Sequence, residues 1–193
     1  MTRYLLLSII CFLSLAVSGQ DLSPFQDSRG KFGLKDENDK VIVQPKYDKI
    51  KGFVEGFAAV NIGGKPTEED EDIFDGGLWG FINEAGKEVI VPKYTDAREF
   101  AEGLVPVELQ EKWGFIDKTG KTAVPFIYKG AYLFSEGLAA VCFDNNTWGA
   151  INKKGIMVVK PISSTLFIYI SGKARVSVGR DQFFIDKTGK RLN

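Results

Sequence analysis

A ten-residue pattern that returns at near-constant spacing is the feature that most constrains how this chain folds. It is clearest at residues 112–121, and its relatives stand at 31–36, 78–87, 147–155 and 184–190. The Trp position of the pattern falls at residues 32, 79, 113, 148 and 182, so most steps are 34 or 35 residues and the first is longer. A period of this length is typical of repeat architectures, in which each copy is one small structural unit.

A second block recurs in register with the first, an aromatic residue followed by a Glu-Gly pair. The aromatic residues of this block are Phe53, Phe100 and Phe134, and the glutamates are Glu55, Glu102 and Glu136. The first block contributes the remaining repeated positions, which are Phe32, Trp79, Trp113 and Trp148, then Gly80, Gly114 and Gly149, then Gly86, Gly120, Gly155 and Gly189. Matches at fixed offsets indicate that these residues serve the structure of every copy.

The combined pattern, Trp-Gly-Phe-Ile-Asp-x-x-Gly-Lys and then Phe-x-Glu-Gly-Leu-Ala-x-Val, resembles the WG-repeat family over residues 31–190. The family is common among exported and modular bacterial proteins. The resemblance implies a β-repeat scaffold and brings no catalytic residues. The chain departs from the pattern at its ends, where Phe32 replaces Trp and Gln182-Phe183 replaces Trp-Gly. Atypical terminal copies are expected where no neighbour stacks.

The residues of one copy predict an all-β fold with three antiparallel strands in each unit of about 35 residues. Trp113 to Asp117 is rich in strand formers, and Asp117-Lys118-Thr119-Gly120 has type I turn chemistry. A returning strand, a connector of about ten residues and a third strand such as Leu104 to Leu109 complete the unit. One unit cannot bury its aromatic face, so copies must stack, as a solenoid-like array or a propeller-like ring.

The domain organisation begins with a predicted signal peptide over residues 1–19, cleaved after Gly19. Its apolar run, Tyr4 to Val17, is shorter than the roughly 20 residues that a membrane-spanning helix needs. We therefore expect a secreted, periplasmic or cell-surface protein with no membrane span after cleavage. A lead-in of residues 20–30 precedes the repeat domain, 31–193, whose copies are 31–78, 79–112, 113–147, 148–181 and a partial 182–193.

Composition narrows the function. The chain has 25 basic and 25 acidic residues, so no electrostatic footprint predicts nucleic acid as a partner. It has no His, which excludes Ser-His and Cys-His nucleophile pairs and imidazole metal sites. Nothing assembles a nucleophile, a base and oxyanion donors. We expect no enzyme activity and no cofactor.

Two sets of repeated residues invite functional interpretations. The tryptophans could form sugar-stacking platforms and the glutamates could act in acid–base catalysis. Repetition favours a core role for Trp, and it favours backbone hydrogen bonds at the turn before the following Gly for Glu, because carboxylates one copy apart imply no unique cleft. A carbohydrate-binding module using exposed aromatic residues such as Tyr132, Phe143 or Phe167 is the alternative to a scaffold that binds a protein or a cell-envelope component.

The acidic insertion at 63–77 is the one segment that does not repeat. Six acidic residues and flanking glycines predict a solvated, mobile loop, dispensable for folding. Asp70, Asp72 and Asp75 are weak candidates for a Ca²⁺ site, since their spacing misses that of an EF-hand. The insertion is also the best candidate for a specific contact.

Overall fold

A computed structural model describes residues 22–68, 74–143 and 146–192. These residues form β-strands and turns, and none of them lies in a helix. No helix that could cross a membrane occurs in this part of the chain. The strands are β1 Ser23–Gln26, β2 Phe32–Lys35, β3 Val41–Tyr47, β4 Lys49–Ile50, β5 Phe57–Pro66, β6 Phe74–Asn83, β7 Glu88–Tyr94, β8 Asp96–Ala97, β9 Leu104–Leu109, β10 Lys112–Asp117, β11 Thr122–Tyr128, β12 Gly130–Ala131, β13 Leu138–Cys142, β14 Trp148–Asn152, β15 Met157–Ser163, β16 Tyr169–Ile170, β17 Lys173–Val178 and β18 Asp181–Asp186.

The strands form small antiparallel sheets in chain order. The first sheet is β1-β2-β3, the second β4 to β7, the third β8 to β11, the fourth β12 to β15 and the fifth β16-β17-β18. The all-β repeat prediction is confirmed, but three strands per unit was wrong. The predicted connector contains an extra strand of two residues, β4, β8 or β12, which pairs with the strand that follows it. The middle sheets therefore have four strands.

Each of the three middle sheets combines two copies of the sequence repeat. The third strand of one copy pairs with the Trp strand of the next, as β9 does with β10, where Val107 lies opposite Gly114. The first sheet obtains its equivalent strand, β1, from the lead-in, where Phe25 lies opposite Gly33. The lead-in is thus part of the first sheet.

Turn chemistry fixes the hairpin after each Trp strand. The Asp117 carboxylate accepts hydrogen bonds from the backbone N–H of Thr119, at 2.8 Å, and of Lys121, at 3.1 Å. Gly120 takes φ +83°, which glycine adopts without the penalty of a Cβ atom. The Gly of the Trp-Gly pair is required for a different reason, which is lack of space. A Cβ on Gly80 would lie 2.4 Å from the carbonyl oxygen of Ile90.

The hydrophobic core is divided between consecutive sheets. In the described residues, each apolar cluster joins one sheet to the next. Ile82, Ile116, Ile151 and Ile185 face the preceding sheet in each case. Because neighbouring residues of a strand point to opposite faces, Phe81 and Phe115 face the following sheet. Every sheet in the interior of the stack is therefore apolar on both faces.

Candidate functional site

The repeated glutamates connect neighbouring sheets. Glu55 accepts a hydrogen bond from the backbone N–H of Gly103 at 3.0 Å, and the same contact joins Glu102 to Gly137 and Glu136 to Gly172. The carboxylate thus bonds the Gly of the next copy, whereas the sequence had suggested a bond within its own turn. A lysine from the next sheet adds an ion pair to each glutamate, in the pairs Lys118–Glu55, Lys153–Glu102 and Lys187–Glu136, at 3.0–3.4 Å.

The pKa directions agree with this geometry. Partial burial raises the pKa of Glu102, but the hydrogen bond from Lys153 and the N–H of Gly137 outweigh it, so the pKa is lower than that of a free Glu side chain. The pKa of Glu55 is lowered in the same way, by Lys118 and Gly103 against burial. These carboxylates are thus held ionised between copies, as structural contacts.

The backbone at these glutamates is unusual for a residue with a side chain. Glu55, Glu102 and Glu136 have φ of 51°, 54° and 53°, each before a Gly with positive φ. Positive φ at both central residues defines a type I′ turn, which prefers Asn or Gly. Because a longer side chain is disfavoured there, the contact that the carboxylate makes with the next sheet explains why Glu occupies the position.

The aromatic residues proposed as sugar platforms are mostly covered. Trp79 and Trp113 are 3% and 7% exposed, and Trp148 is half-buried. Phe100 and Phe134 are buried, and Phe53 packs on the apolar cluster between the first and second sheets. Of the three aromatics named for carbohydrate binding, Phe167 is buried, while Tyr132 and Phe143 are half-buried. The expectation that Phe167 is exposed was wrong, because its ring packs edge-on against Tyr169 in the core.

The metal candidates are only partly placed. Asp70 and Asp72 lie outside the described residues, as does the predicted signal peptide. Asp75 is exposed and lies in β6 opposite Lys65. Among the residues that are described, no group of three or more His, Cys, Asp or Glu side chains is placed to hold a metal ion.

The acidic insertion has paired arms. The β5–β6 ladder continues beyond Trp79 through the pairs Gly64–Gly76, Lys65–Asp75 and Pro66–Phe74. The Phe74 ring packs edge-on against Trp79 with centroids 6.1 Å apart. The prediction of a solvated loop over all of 63–77 was therefore wrong for its ends, which form what we call the insertion hairpin.

A concavity of about 620 Å³ lies on the fifth sheet. Ala174, Val176 and Ile185 face the fourth sheet, so their neighbours along β17 and β18 face the other way. We call this outward surface the terminal face. It is lined by Leu166, Ile168, Ile170, Lys173, Arg175 and Phe184, together with Thr165, Ser177 and Gln182.

The terminal face corresponds to the surface on which, in the other sheets, the next sheet packs. Lys173 takes the position of Phe57, Leu104 and Leu138. Arg175 takes that of Ala59, Pro106 and Ala140, and Gln182 that of the three tryptophans. Three positions that are apolar in the other sheets are thus occupied in the fifth sheet by two cationic side chains and one amide. Phe184 keeps its aromatic character and is 43% exposed.

The charges of the terminal face are available to a ligand. Lys173 Nζ lies 5.0 Å from the centroid of the Phe184 ring, and Arg175 donates a hydrogen bond to Gln182. Neither cation forms an ion pair with a carboxylate within the described ranges. Ile170, 62% exposed, adds apolar surface beside them. The face combines positive charge with apolar contact area.

A second concavity, of about 390 Å³, lies between the first sheet and the insertion hairpin. Two half-buried rings, Phe32 and Phe74, line it together with the side chains of Gln26 and Asp48. The Asp48 carboxylate also accepts a hydrogen bond from the backbone N–H of Gly63 at 2.7 Å, which joins the hairpin to the rim.

Sequence reasoning did not single out Lys173, Arg175 or Phe184. The available signal was the weak match of the last Glu-Gly block, where Ser171-Gly172-Lys173-Ala174-Arg175 stands for Glu-Gly-Leu-Ala-Ala. To interpret this weak match, one must know which face of the sheet each position occupies, and the sequence alone does not show the face. The replacement of Trp by Gln182 was identified in the sequence, but it was explained only as the mark of a terminal copy on which no neighbour stacks.

The comparisons bear on fold and family. A family model described as "WG containing repeat" matches residues 32–65, 79–113, 113–146 and 148–180. No curated protein matches the chain. The solved structures that resemble it include the computationally designed Ika8 protein, the extracellular domain of BT4673 from B. thetaiotaomicron and the WD40 beta propeller domain of Doa1.

The structural likeness is distant in sequence. Ika8 is 9% identical with a TM-score of 0.51, and the match covers 89% of this chain and 57% of Ika8. The extracellular domain of BT4673 is 12% identical with a TM-score of 0.45, and the match covers 88% of this chain and 28% of that chain. The WD40 domain of Doa1 is 14% identical with a TM-score of 0.41, and the match covers 92% of this chain and 66% of that chain. The chain thus spans little more than half of Ika8 and about a quarter of BT4673. The likeness to Ika8 concerns the fold alone.

Proposed function

This chain belongs to the WG-containing repeat family, and on that premise we propose that it is a secreted, non-enzymatic binding scaffold whose terminal face binds an acidic segment of a partner protein. The observation that carries the proposal is the replacement of apolar positions by Lys173 and Arg175 on a surface that elsewhere receives the next sheet. Terminal repeats need a polar outer face for solubility. Solubility alone does not account for Phe184 and Ile170, which stay exposed beside the cations.

The chemistry of the face selects a peptide over a sugar. Aliphatic side chains dominate the apolar part, and the single exposed ring, Phe184, is covered on one side by Lys173. Sugar sites rely on open aromatic surfaces, whereas an acidic peptide that also carries apolar residues offers carboxylates together with apolar side chains. Such a segment pairs its charges with Lys173 and Arg175 and rests its apolar residues on Ile170 and Phe184.

The proposal includes an open array of sheets, in preference to a closed ring. A ring would require the terminal face to pack on the first sheet. On the first sheet, Lys35 stands where Ile82 and Ile116 face the preceding sheet. Closure would therefore bury Lys35, which forms an ion pair with Asp39, against Lys173 and Arg175, and burying these charges is unfavourable. The open arrangement leaves the terminal face accessible.

The test uses fluorescence anisotropy with a labelled eight-residue peptide of alternating Glu and Leu. We expect the peptide to bind the purified chain at low salt, and K173E/R175E to weaken binding at least about tenfold, the equivalent of about 1.4 kcal/mol. The matched control is K154E/K160E, which reverses two exposed lysines elsewhere. Equal affinity of the wild type and K173E/R175E, or equal loss in both variants, would refute the proposal.

A carbohydrate-binding role is the second candidate function. Its candidate site is the concavity beside the insertion hairpin, which differs from the aromatic residues considered in the sequence analysis. The observation in its favour is that the rings of Phe32 and Phe74 share this concavity with the polar groups of Gln26 and Asp48. Rings beside polar groups suit the two kinds of surface on a sugar. We expect Phe32→Ala to abolish any retention on immobilised cell-wall glycan. Retention that survives in the variant, or its absence in the wild type, would remove this candidate.

A further inference from the structure

The repeat is interrupted in two places, and the two interruptions carry opposite charge. The insertion brings six acidic residues within 63–77, and the terminal face brings Lys173 and Arg175. Repetition explains the other segments through stacking, but it explains neither of these. A contact between the acidic insertion and the terminal face would explain both departures from the repeat.

We propose that the terminal face of one molecule receives the acidic insertion of a second copy, so that the chain associates with itself head to tail. This inference rests on the proposed function, in which the terminal face binds an acidic segment, and it names that segment as residues 68–75 of another molecule. The segment combines Glu68, Glu69, Asp70, Glu71, Asp72 and Asp75 with one aliphatic residue, Ile73.

The arms of the insertion hairpin extend beyond the end of the equivalent hairpin in the third sheet. The equivalent hairpin of the third sheet ends at the pair Leu109–Lys112, whereas the β5–β6 ladder continues to Pro66–Phe74. From Ile62 to Pro66 the extra length is roughly 13 Å at about 3.3 Å per residue. The described arms, with Lys65, Pro66 and Asp75 exposed, therefore project beyond the sheet that carries them.

The length of the acidic segment decides whether it can contact the terminal face of its own molecule or only that of a second one. Packing of Phe74 against Trp79 fixes the hairpin on the second sheet, and the terminal face lies three sheets further on. Face-to-face sheets are about 10 Å apart, so in the proposed open array the distance along the stack is on the order of 30 Å. The residues between Glu68 and Phe74 must leave and return to the same hairpin, which limits their extension to roughly 10 Å. The partner is therefore another copy.

The first sheet of a second copy is a worse occupant than its insertion. In that arrangement the Lys35–Asp39 ion pair would be buried against Lys173 and Arg175, at the same desolvation cost that disfavours a ring. The insertion instead brings carboxylates, which form ion pairs with both cations. Charge complementarity thus favours the acidic insertion over the first sheet as the occupant of the terminal face.

The experiment is sedimentation velocity of the purified chain at about 10 mM and about 1 M salt, where the Debye lengths are roughly 30 Å and 3 Å. We expect association at low salt and monomers at high salt. K173E/R175E and E69K/D72K should each weaken association at least about tenfold, while the control K154E/K160E should match the wild type. A chain that carries both charge reversals should associate again.

The outcomes separate this inference from the proposed function. A chain that stays monomeric at 10 mM salt, but binds the Glu-Leu peptide through Lys173 and Arg175, would refute self-association and leave the binding face intact. Loss of association in the control variant, or no recovery in the doubly reversed chain, would also refute it. Absence of both association and peptide binding would refute both proposals.

Discussion

Glu102 offers the sharpest test of how neighbouring copies hold together. Its carboxylate accepts the N–H of Gly137 at 3.1 Å and pairs with Lys153 at 3.0 Å, and Lys153 also donates to the Glu102 carbonyl oxygen at 2.9 Å. Glu102→Gln keeps the size of the side chain and the strained backbone while it removes the charge. The substitution therefore isolates the electrostatic part of the contact.

The magnitude follows from the exposure of the pair. The Glu102 side chain is 30% exposed, so its ion pair contributes about 0.2–1 kcal/mol. Replacing a charge-assisted hydrogen bond by a neutral one halves its strength, a loss of about 0.5–1 kcal/mol. We expect a total loss of about 1–2 kcal/mol at pH 7, equivalent to a fall in Tm of about 2–8 °C for a chain of this size.

The pH dependence has a defined sign. Because the pKa of Glu102 is lower in the folded state than its ordinary value of 4.5, its charge stabilises the fold above that pH. The stabilisation is lost as the pH falls through the folded pKa, since the protonated side chain no longer favours the fold. The difference between the wild type and Glu102→Gln should thus be full at pH 7 and shrink below about pH 4.5.

The assay is urea unfolding followed by tryptophan fluorescence at several pH values. The matched control is Glu111→Gln, since Glu111 also has positive φ, at 61°, but is exposed and forms no hydrogen bond or ion pair with a neighbouring sheet in the described residues. A double-mutant cycle with Lys153→Met should give a coupling energy of about 0.5 kcal/mol or more. A loss that is independent of pH, or one no larger than that of Glu111→Gln, would refute the reasoning.

Three further predictions concern the core, the insertion and the amino terminus. Trp113→Ala should cost about 3–5 kcal/mol in urea unfolding, because Trp113 is 7% exposed within a core cluster; a loss below about 1 kcal/mol would place it at the surface. Replacing residues 67–73 by Asn-Gly should leave Tm within a few degrees, whereas replacing 64–77 should cost about 1.5–3 kcal/mol because it removes Phe74 from Trp79; equal Tm values would show that this ring contributes nothing. The intact mass of the exported protein should correspond to a chain that begins at Gln20, and a mass that includes residues 1–19 would contradict signal cleavage.

The sequence predicted what depends on local chemistry. The Asp117–Gly120 turn, the strand at Trp113 and the buried tryptophans follow from residue types and from repetition. The short strands at Lys49–Ile50, Asp96–Ala97 and Gly130–Ala131 are only two residues long, and no residue type is common to all three. Their pairing comes from the neighbouring strand, so no sequence pattern could predict them.

The insertion hairpin was missed for a related reason. Gly63-Gly64 and Gly76-Gly77 lower the strand propensity of both arms. The ladder nevertheless continues, because β5 and β6 are already paired in register at Trp79 and each further pair needs little additional ordering. The partner of Glu102 was missed because periodicity identifies which residues repeat and does not show that a contact joins one copy to the next.

Repetition also explains why the departures are informative. In an interior sheet, most positions that face a neighbour are apolar, as Leu104, Ala140 and Ile116 are. A charge at such a position is better tolerated where no sheet covers it, since burying a charge is costly. Lys35 on one end of the stack and Lys173 and Arg175 on the other therefore mark the surfaces that stay uncovered by further sheets in the proposed open array. Within the described residues, the end with Lys173 and Arg175 combines its cations with a concavity and an exposed ring, and for this reason the proposal assigns binding to that end.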